Sequence, residues 1–320
     1  MAFSPFRLSW FIKNWFAVAA VPSVILFIFI LSSFRLKVKM FYPKFTKTHF
    51  KTFQQTAGIR TTGVSSKINE KCYSSADWDT ILHADSLSGY ELLQYFMWSN
   101  SSSCNLSHDF GGQLGKNPTG IAGQKAICID SRVAPQPGKC LVYSFGINKE
   151  WSFDEHMELY GCEVFAFDPS MGMENHDHSP GIHFYNLGLS NRDEYNIYEN
   201  WTMRSLLSIY GSLSARHGHK IIDYLKIDIE FYEWIALPQI MESGMLSKIR
   251  QLGIEVHLDH TDDIEWYRGW AKILRKMEKM GMIRFDSKYN PWSFGNFTEL
   301  QLLGSFGYEI AWYNENLLHR

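Results

Sequence analysis

A chain of 320 residues can build one large domain and an appendage around a single core. With 45% hydrophobic and 16% aromatic residues, it is not an intrinsically disordered polymer. Its formal net charge is −2, and the globular region has no Lys/Arg cluster interleaved with aromatics, so nothing marks it as a nucleic-acid binder.

The first feature in chain order is apolar. Phe16–Phe34 is a run of 19 residues without a charge. As a helix it would span roughly 28 Å at about 1.5 Å per residue, close to the hydrocarbon thickness of a bilayer. A cleaved signal peptide has a shorter apolar core and a small-residue cleavage site, so the run predicts a single-pass anchor. The chain then divides into a short tail (1–15), a transmembrane anchor (16–34), a basic Ser/Thr-rich stalk (35–87) and a globular domain (88–320). Opposing signals bear on its topology. Arg7 and Lys13 precede the span, whereas Arg35, Lys37, Lys39, Lys44, Lys47 and Lys51 follow it, which favours a cytosolic domain. Four Asn-x-Ser/Thr acceptors, at Asn100, Asn105, Asn200 and Asn296, favour the lumen. Five cysteines (Cys72, Cys104, Cys128, Cys140, Cys162) fit disulfides of an oxidising compartment without requiring them.

A helix is predicted from Ser88, where Leu87, Tyr90, Leu93, Tyr95 and Met97 keep a helical rhythm. It runs into SNSSSCNLSHDFGGQLGKNPTG, a long turn-rich surface loop. Asp109–Gly112 spells DFGG, but no HRD loop and no nucleotide-binding Lys strand accompany it, so a kinase is rejected. Strand–helix alternation starts at Lys125, first with Ala126–Asp130. Cys140–Gly146 (CLVYSFG) is an apolar strand delivered to a glycine. Ser152 and Glu155 have capping-box spacing at the head of a helix that stops at Gly161. Glu163–Ser170 (EVFAFDPS) is a second apolar strand closing on Asp168. Gly146 and Asp168 lie 22 positions apart, near the ~20 between the glycine turn and the ribose-binding acid of a nucleotide-binding βαβ unit. Only one glycine stands in the turn SFGINKEW. The missing GxGxxG argues against a nicotinamide dinucleotide, whose pyrophosphate needs that cradle. A ribose-bearing ligand without phosphates matches better.

Gly181–Ser190 is a third strand. Ile221–Ile240 (IIDYLKIDIEFYEWIALPQI) then opens as a strand buried on both faces. Lys226, Asp228 and Glu230 alternate along it and share one side if the chain stays extended. Buried charge is costly unless paired or placed where the sheet opens. Ligands of open α/β sheets bind outside the carboxyl ends of strands, so this acidic end is a candidate site. The helix that follows is expected to stop near Pro238. Ser247–His260 adds a fifth strand with Glu255 and His257 at its end. A helix from Ile264 stops at Gly281, and MIRFDSKYNPW and GYEIAWYNENLL make a final strand pair. His257, Asp259 and His260 lack the glutamate of an HExxH helix, and no cysteine has zinc spacing, so no metal is expected. A GxSxG elbow is absent, which disfavours a hydrolase.

In this order the glycine strand, the Asp strand and LKIDIE resemble class I S-adenosylmethionine-dependent methyltransferases. LKIDIEFYEW is similar to the FkbM-type signature, Lys-hydrophobic-Asp-hydrophobic-Glu-Gly. With GQKAICID (Gly123–Asp130), SFGINKEWSFDEHM (Ser144–Met157) and GCEVFAFDPSM (Gly161–Met171), the run is similar to the methyltransferase-like protein 24 group. The resemblance implies an α/β fold, a Rossmann-like seven-stranded sheet of order 3-2-1-4-5-7-6 with the last strand antiparallel. It implies that Ser144, Phe145 and Gly146 line the methionine end of S-adenosylmethionine and that Asp168 holds its ribose. Asp228 and Glu230 would face the active-site mouth, with Asp228 or His257 as general base. Phe231 stands where the FkbM signature has Gly. Members of the group are expected to be membrane-anchored or secreted, which tips the topology toward the lumen. The expected function is methyl transfer to an unidentified oxygen or nitrogen acceptor. The alternative is an inactive binding domain that keeps the fold.

Overall fold

The computed structural model describes residues 73–116 and 119–319. The expected anchor at Phe16–Phe34 lies outside them, and so does most of the stalk. Among the described residues no helix is long and apolar enough to cross a membrane.

The frame is one eight-stranded sheet. In chain order its strands are β1 (Leu141–Phe145), β2 (Glu163–Phe167), β3 (His176–Ser179), β4 (Ile182–Tyr185), β5 (Tyr224–Ile227), β6 (Gln251–His257), β7 (Met282–Tyr289) and β8 (Gly307–Asn314). They lie in the spatial order 7-8-6-5-1-2-4-3. β8 runs antiparallel to both β6 and β7. Leaving out β3, which pairs antiparallel at the edge, the remaining seven follow the expected order 3-2-1-4-5-7-6 counted along the chain. The edge strand β3 arises from the His176–Ser179 stretch, which carried no strand expectation.

Every residue of β1 and β5 is buried, as their unbroken apolar character requires of strands covered on both faces. Among the described residues six α-helices supply the cover: α1 (Asp77–Ile81), α2 (Gly89–Met97), α3 (Ser152–Tyr160), α4 (Leu206–His217), α5 (Glu233–Glu242) and α6 (Ile264–Lys279). Ser88 caps α2 with a full capping box to Glu91. Asp263 caps α6, which buries Tyr267, Ala271, Leu274 and Met277 along one stripe. The larger core gathers α2, α4, α5 and α6 with one side of the sheet, and α3 covers a smaller core through Phe153 and Met157.

Four local expectations need correction. Ser152 does not cap α3, because Trp151 is the N-cap residue and the Ser152 hydroxyl accepts from the Gly112 N–H at 2.6 Å instead. Pro238 does not stop α5, which continues to Glu242 because Leu237, Ile240 and Met241 are buried on it. The strand at Lys125–Cys128 is outside the main sheet. It pairs antiparallel with Ser107–Phe110, and buried Gln251 of β6 ties it down through both the N–H and the carbonyl of Cys128. Packing also begins before Ser88, since Trp78 and Leu82 are fully buried in the larger core.

Candidate active site

The parallel strands β1 and β5 are neighbours, and the chain leaves them in opposite directions across the sheet. That is the switch point where open α/β sheets bind ligands. β1 is delivered to Gly146, whose φ of +80° is open to glycine without strain. A Cβ there would lie 1.6 Å from the Asp228 carbonyl oxygen, so the turn can approach the end of β5 only as glycine. Lys226 of β5 donates its ammonium to the carbonyls of Phe145 and Gly146 and clamps the turn from below. The Ser144 side chain is fully buried, and Phe145 stacks on Phe167 at 4.5 Å, so only their backbone can meet a ligand.

Asp168 is 3% exposed, at the end of β2. One carboxylate oxygen accepts from the N–H groups of Ile147 and Asn148 at 2.8 and 2.7 Å. The other accepts from the Ser170 N–H at 2.8 Å and its hydroxyl at 2.6 Å. These four donors fill the lone-pair sites of a carboxylate. Asn148 and Lys149 both have positive φ, 46° and 65°, a conformation that costs non-glycine residues energy. Asp168 holds Asn148 there as a built-in anion in a nest of backbone N–H groups.

Beneath the turn, Ser144 Oγ and both oxygens of Asp154 are buried without a hydrogen bond. Burial pushes the Asp154 carboxyl up to about 6, against the pull of the Lys226 ammonium and the nearby Ser144 hydroxyl.

β5 ends at Ile227, so Lys226, Asp228 and Glu230 do not share an extended face. Asp228 turns to Lys125, whose buried ammonium lies 3.4 Å from it and 2.7 Å from Glu309 of β8. Burial would raise the Asp228 carboxyl, but the charges of Lys125, Lys226 and His257 hold it below the ordinary range. Glu309 stays high: burial pushes it up to about 8, with Glu255 and Asp228 adding to the rise against Lys125. Glu255 sits directly opposite Glu309 in the β6–β8 register. Its carboxylate accepts from the Asn290 amide at 2.7 Å.

Glu230 and Phe231 both have positive φ, 50° and 74°. The bend throws Glu230 outward, with 80% of its side chain exposed, yet its carboxylate is still 3.6 Å from His257 Nε2. Phe231 therefore meets, as a non-glycine, the backbone demand that the FkbM signature meets with Gly. His257 Nδ1 faces the fully buried Glu233 at 3.0 Å. Burial alone would lower the imidazolium, but Glu233, Glu255 and Asp228 reverse that and raise it to about 10. As an imidazolium, His257 is no general base in this state, because a base needs a free lone pair. Asp228, Glu230, Glu255 and His257 thus converge, while Gly146 and Asp168 meet across the turn. Lys125, Glu233 and Glu309 carried no sequence expectation. A single acid in the apolar run of β8 was the one visible signal for Glu309.

Residues 91–303 match the family model described as a methyltransferase domain. The chain belongs to that methyltransferase-domain family. The human protein named probable methyltransferase-like protein 24 is 30% identical over 173 residues, covering 51% of this chain and 47% of that protein. The rat protein of the same name is 30% identical over 168 residues, covering 48% and 45%. The chain thus aligns with about half the length of the curated relatives it matches. A chain of the crystal structure titled fibrillarin/Nop5p complex overlays at a TM-score of 0.34 and 12% identity, covering 56% of this chain and 74% of that one. That overlay is too weak to carry an argument. The methyltransferase-domain match covers the glycine turn, Asp168 and the Asp228–His257 cluster together.

Proposed function

We propose that this chain moves a methyl group from S-adenosylmethionine to an oxygen or nitrogen nucleophile, from a membrane-anchored position with its domain in the secretory lumen. One observation carries the reaction. The Gly146 turn and the Asp228 strand end meet backbone to backbone at the switch point of a methyltransferase-domain sheet. The glycine keeps that edge of the turn free of a side chain, so the backbone of Ser144–Gly146 would hold S-adenosylmethionine. Asp168 would act through the turn it shapes. The same carboxylate fills the N–H nest that a pyrophosphate would need, which argues against a dinucleotide.

S-adenosylmethionine supplies a methyl already activated on a sulfonium. The chain's part is alignment, holding a nucleophile about 3 Å from that carbon. Asp228, kept ionised beside Lys125, would orient the acceptor by accepting its hydrogen bond. A cleft of about 510 Å³ lined by Asp109, Gln124, Asp286 and Lys288 lies on the Lys125 side of the site. Two disulfides, Cys104–Cys128 and Cys140–Cys162, support an oxidising compartment.

A second reading, an inactive binding domain, is favoured by the filled Asp168 carboxylate. The deciding experiment is calorimetric titration of the full chain with S-adenosylmethionine, followed by a radiolabelled-methyl screen of membrane and secreted extracts. We expect micromolar-range binding and labelled product, with Asp228→Asn lowering turnover by about 10²-fold or more at near-parental cofactor affinity. Binding without any labelled product would favour the inactive domain. No binding at all would remove the methyl-transfer reading.

A further inference from the structure

We infer that the carboxyl ends of β5 and β6 form a binding site for a divalent first-row cation, with Asp228, Glu255 and His257 as its protein ligands. The inference rests on the methyl-transfer reading for the cation's use, though not for its binding. Each of the three residues places a ligand atom within 4.8 Å of the others.

Three further observations separate this group from an ordinary acidic surface. The first is the support behind the histidine. Glu233, fully buried on α5, accepts from the His257 backbone N–H at 2.8 Å and faces Nδ1 at 3.0 Å. It fixes the ring and turns Nε2 toward Glu255, the arrangement that supports metal-ligating histidines, and a cation bound at Nε2 displaces the imidazolium proton to water. The second is spacing. Nε2 lies 3.9 Å from a Glu255 oxygen, beyond hydrogen-bond reach. Two ligand atoms on one cation, each about 2.1 Å from it, stand roughly 3–3.5 Å apart, so a small inward movement of the side chains would close the site.

The third is an unsatisfied buried acceptor. The second oxygen of Glu233 is buried with no donor, although this side chain is 0% exposed. Lys125 reaches one oxygen each of Asp228 and Glu309, and Lys226 spends its ammonium on the Gly146 turn. Glu255 accepts from the neutral Asn290 amide at 2.7 Å.

Two carboxylate oxygens and one imidazole suit Mn²⁺, Fe²⁺ or Zn²⁺ better than Ca²⁺. Three protein ligands leave coordination positions for water or a substrate oxygen. The acceptor class is therefore a hydroxyl compound, whose O–H a bound cation acidifies. The acceptor oxygen gains the methyl carbon as the carbon–sulfur bond breaks, and the hydroxyl proton leaves to water.

The test uses the full chain stripped of metal with a chelator and titrated with Mn²⁺, reading free Mn²⁺ by electron paramagnetic resonance. One ion per chain is expected. Glu255→Gln and His257→Gln should weaken it at least about 100-fold, and Glu233→Gln about 10–100-fold through the lost support behind the ring. Near-ultraviolet circular dichroism identifies variants that remain folded, and Asp228→Asn stands in for any that does not. Absence of stoichiometric Mn²⁺ or Zn²⁺ binding by the folded parent overturns the inference. Binding that the folded variants retain overturns it equally. Calorimetry with S-adenosylmethionine on the same metal-free chain keeps the two readings apart, since a failure there leaves the ion count untouched.

Discussion

Asp168 shows how much a single side chain's partners decide. Its position, 22 residues after Gly146 at the end of an apolar strand, matches a ribose-binding acid. Its four hydrogen bonds also make it the fastener of the glycine turn. Asp168→Asn keeps the shape but replaces an acceptor oxygen with a donor facing other donors. Hydrogen bonds to a charged group contribute about 1.5–3 kcal/mol each. We therefore expect a loss of about 3 kcal/mol, roughly 6–12 °C in Tm at 2–4 °C per kcal/mol, with S-adenosylmethionine affinity falling alongside. Thermal denaturation and calorimetry on the same variant check this. Weakened binding at an unchanged Tm would restore Asp168 to the ribose.

At the scale of elements, α1 packs with the domain although it lies in the stretch 35–87 read as its stalk. Trp78 of α1 meets Tyr95 of α2 edge-on at 5.3 Å and Trp98 at 6.3 Å. Beneath them Arg284 of β7, 1% exposed, donates to the Tyr95 carbonyl at 2.7 Å and to Glu278 of α6 at 2.8 Å, with its guanidinium over the Tyr95 ring. A buried guanidinium is tolerated because it is both paired and hydrogen-bonded. Trp78→Ala should cost about 3–5 kcal/mol in urea unfolding, as truncation of a buried aromatic does. A chain begun at Ser88 should suffer at least as much. A loss below about 1 kcal/mol would return residues 73–87 to the stalk.

At the scale of the whole molecule, compartment is the open variable. The two disulfides span 24 and 22 residues, and loops of that size give about 3 kcal/mol of stabilisation each in the chain-entropy account. All four acceptor asparagines, Asn100, Asn105, Asn200 and Asn296, are exposed. Protein made in a eukaryotic secretory host should therefore shrink on a gel after glycosidase treatment. Cys104, Cys128, Cys140 and Cys162 should resist alkylation until reduced. An unshifted band with all four thiols freely alkylated would put the domain in the cytosol, as the basic residues flanking Phe16–Phe34 suggest.

Sequence by itself determined what repeats along the chain or depends on neighbours. Unbroken apolar runs marked the central strands and a 3.6-residue stripe marked α6. Each of these is local in cause, so it is legible without knowing what lies opposite, whereas the order of the strands in the sheet came from the resemblance to class I methyltransferases. Only the tertiary structure decided which charges meet. Lys125 and Asp228 are 103 positions apart, and Lys125 and Glu309 are 184, so no window along the chain joins them. The same holds for the hydroxyl of Ser152, which looked like a cap until Gly112 claimed it. It holds too for Asp168, whose carboxylate was visible as an acid but two of whose four donors, the N–H groups of Ile147 and Asn148, come from a turn that folding brings to it. Side-chain chemistry is written in the sequence; its availability depends on partners that only packing supplies.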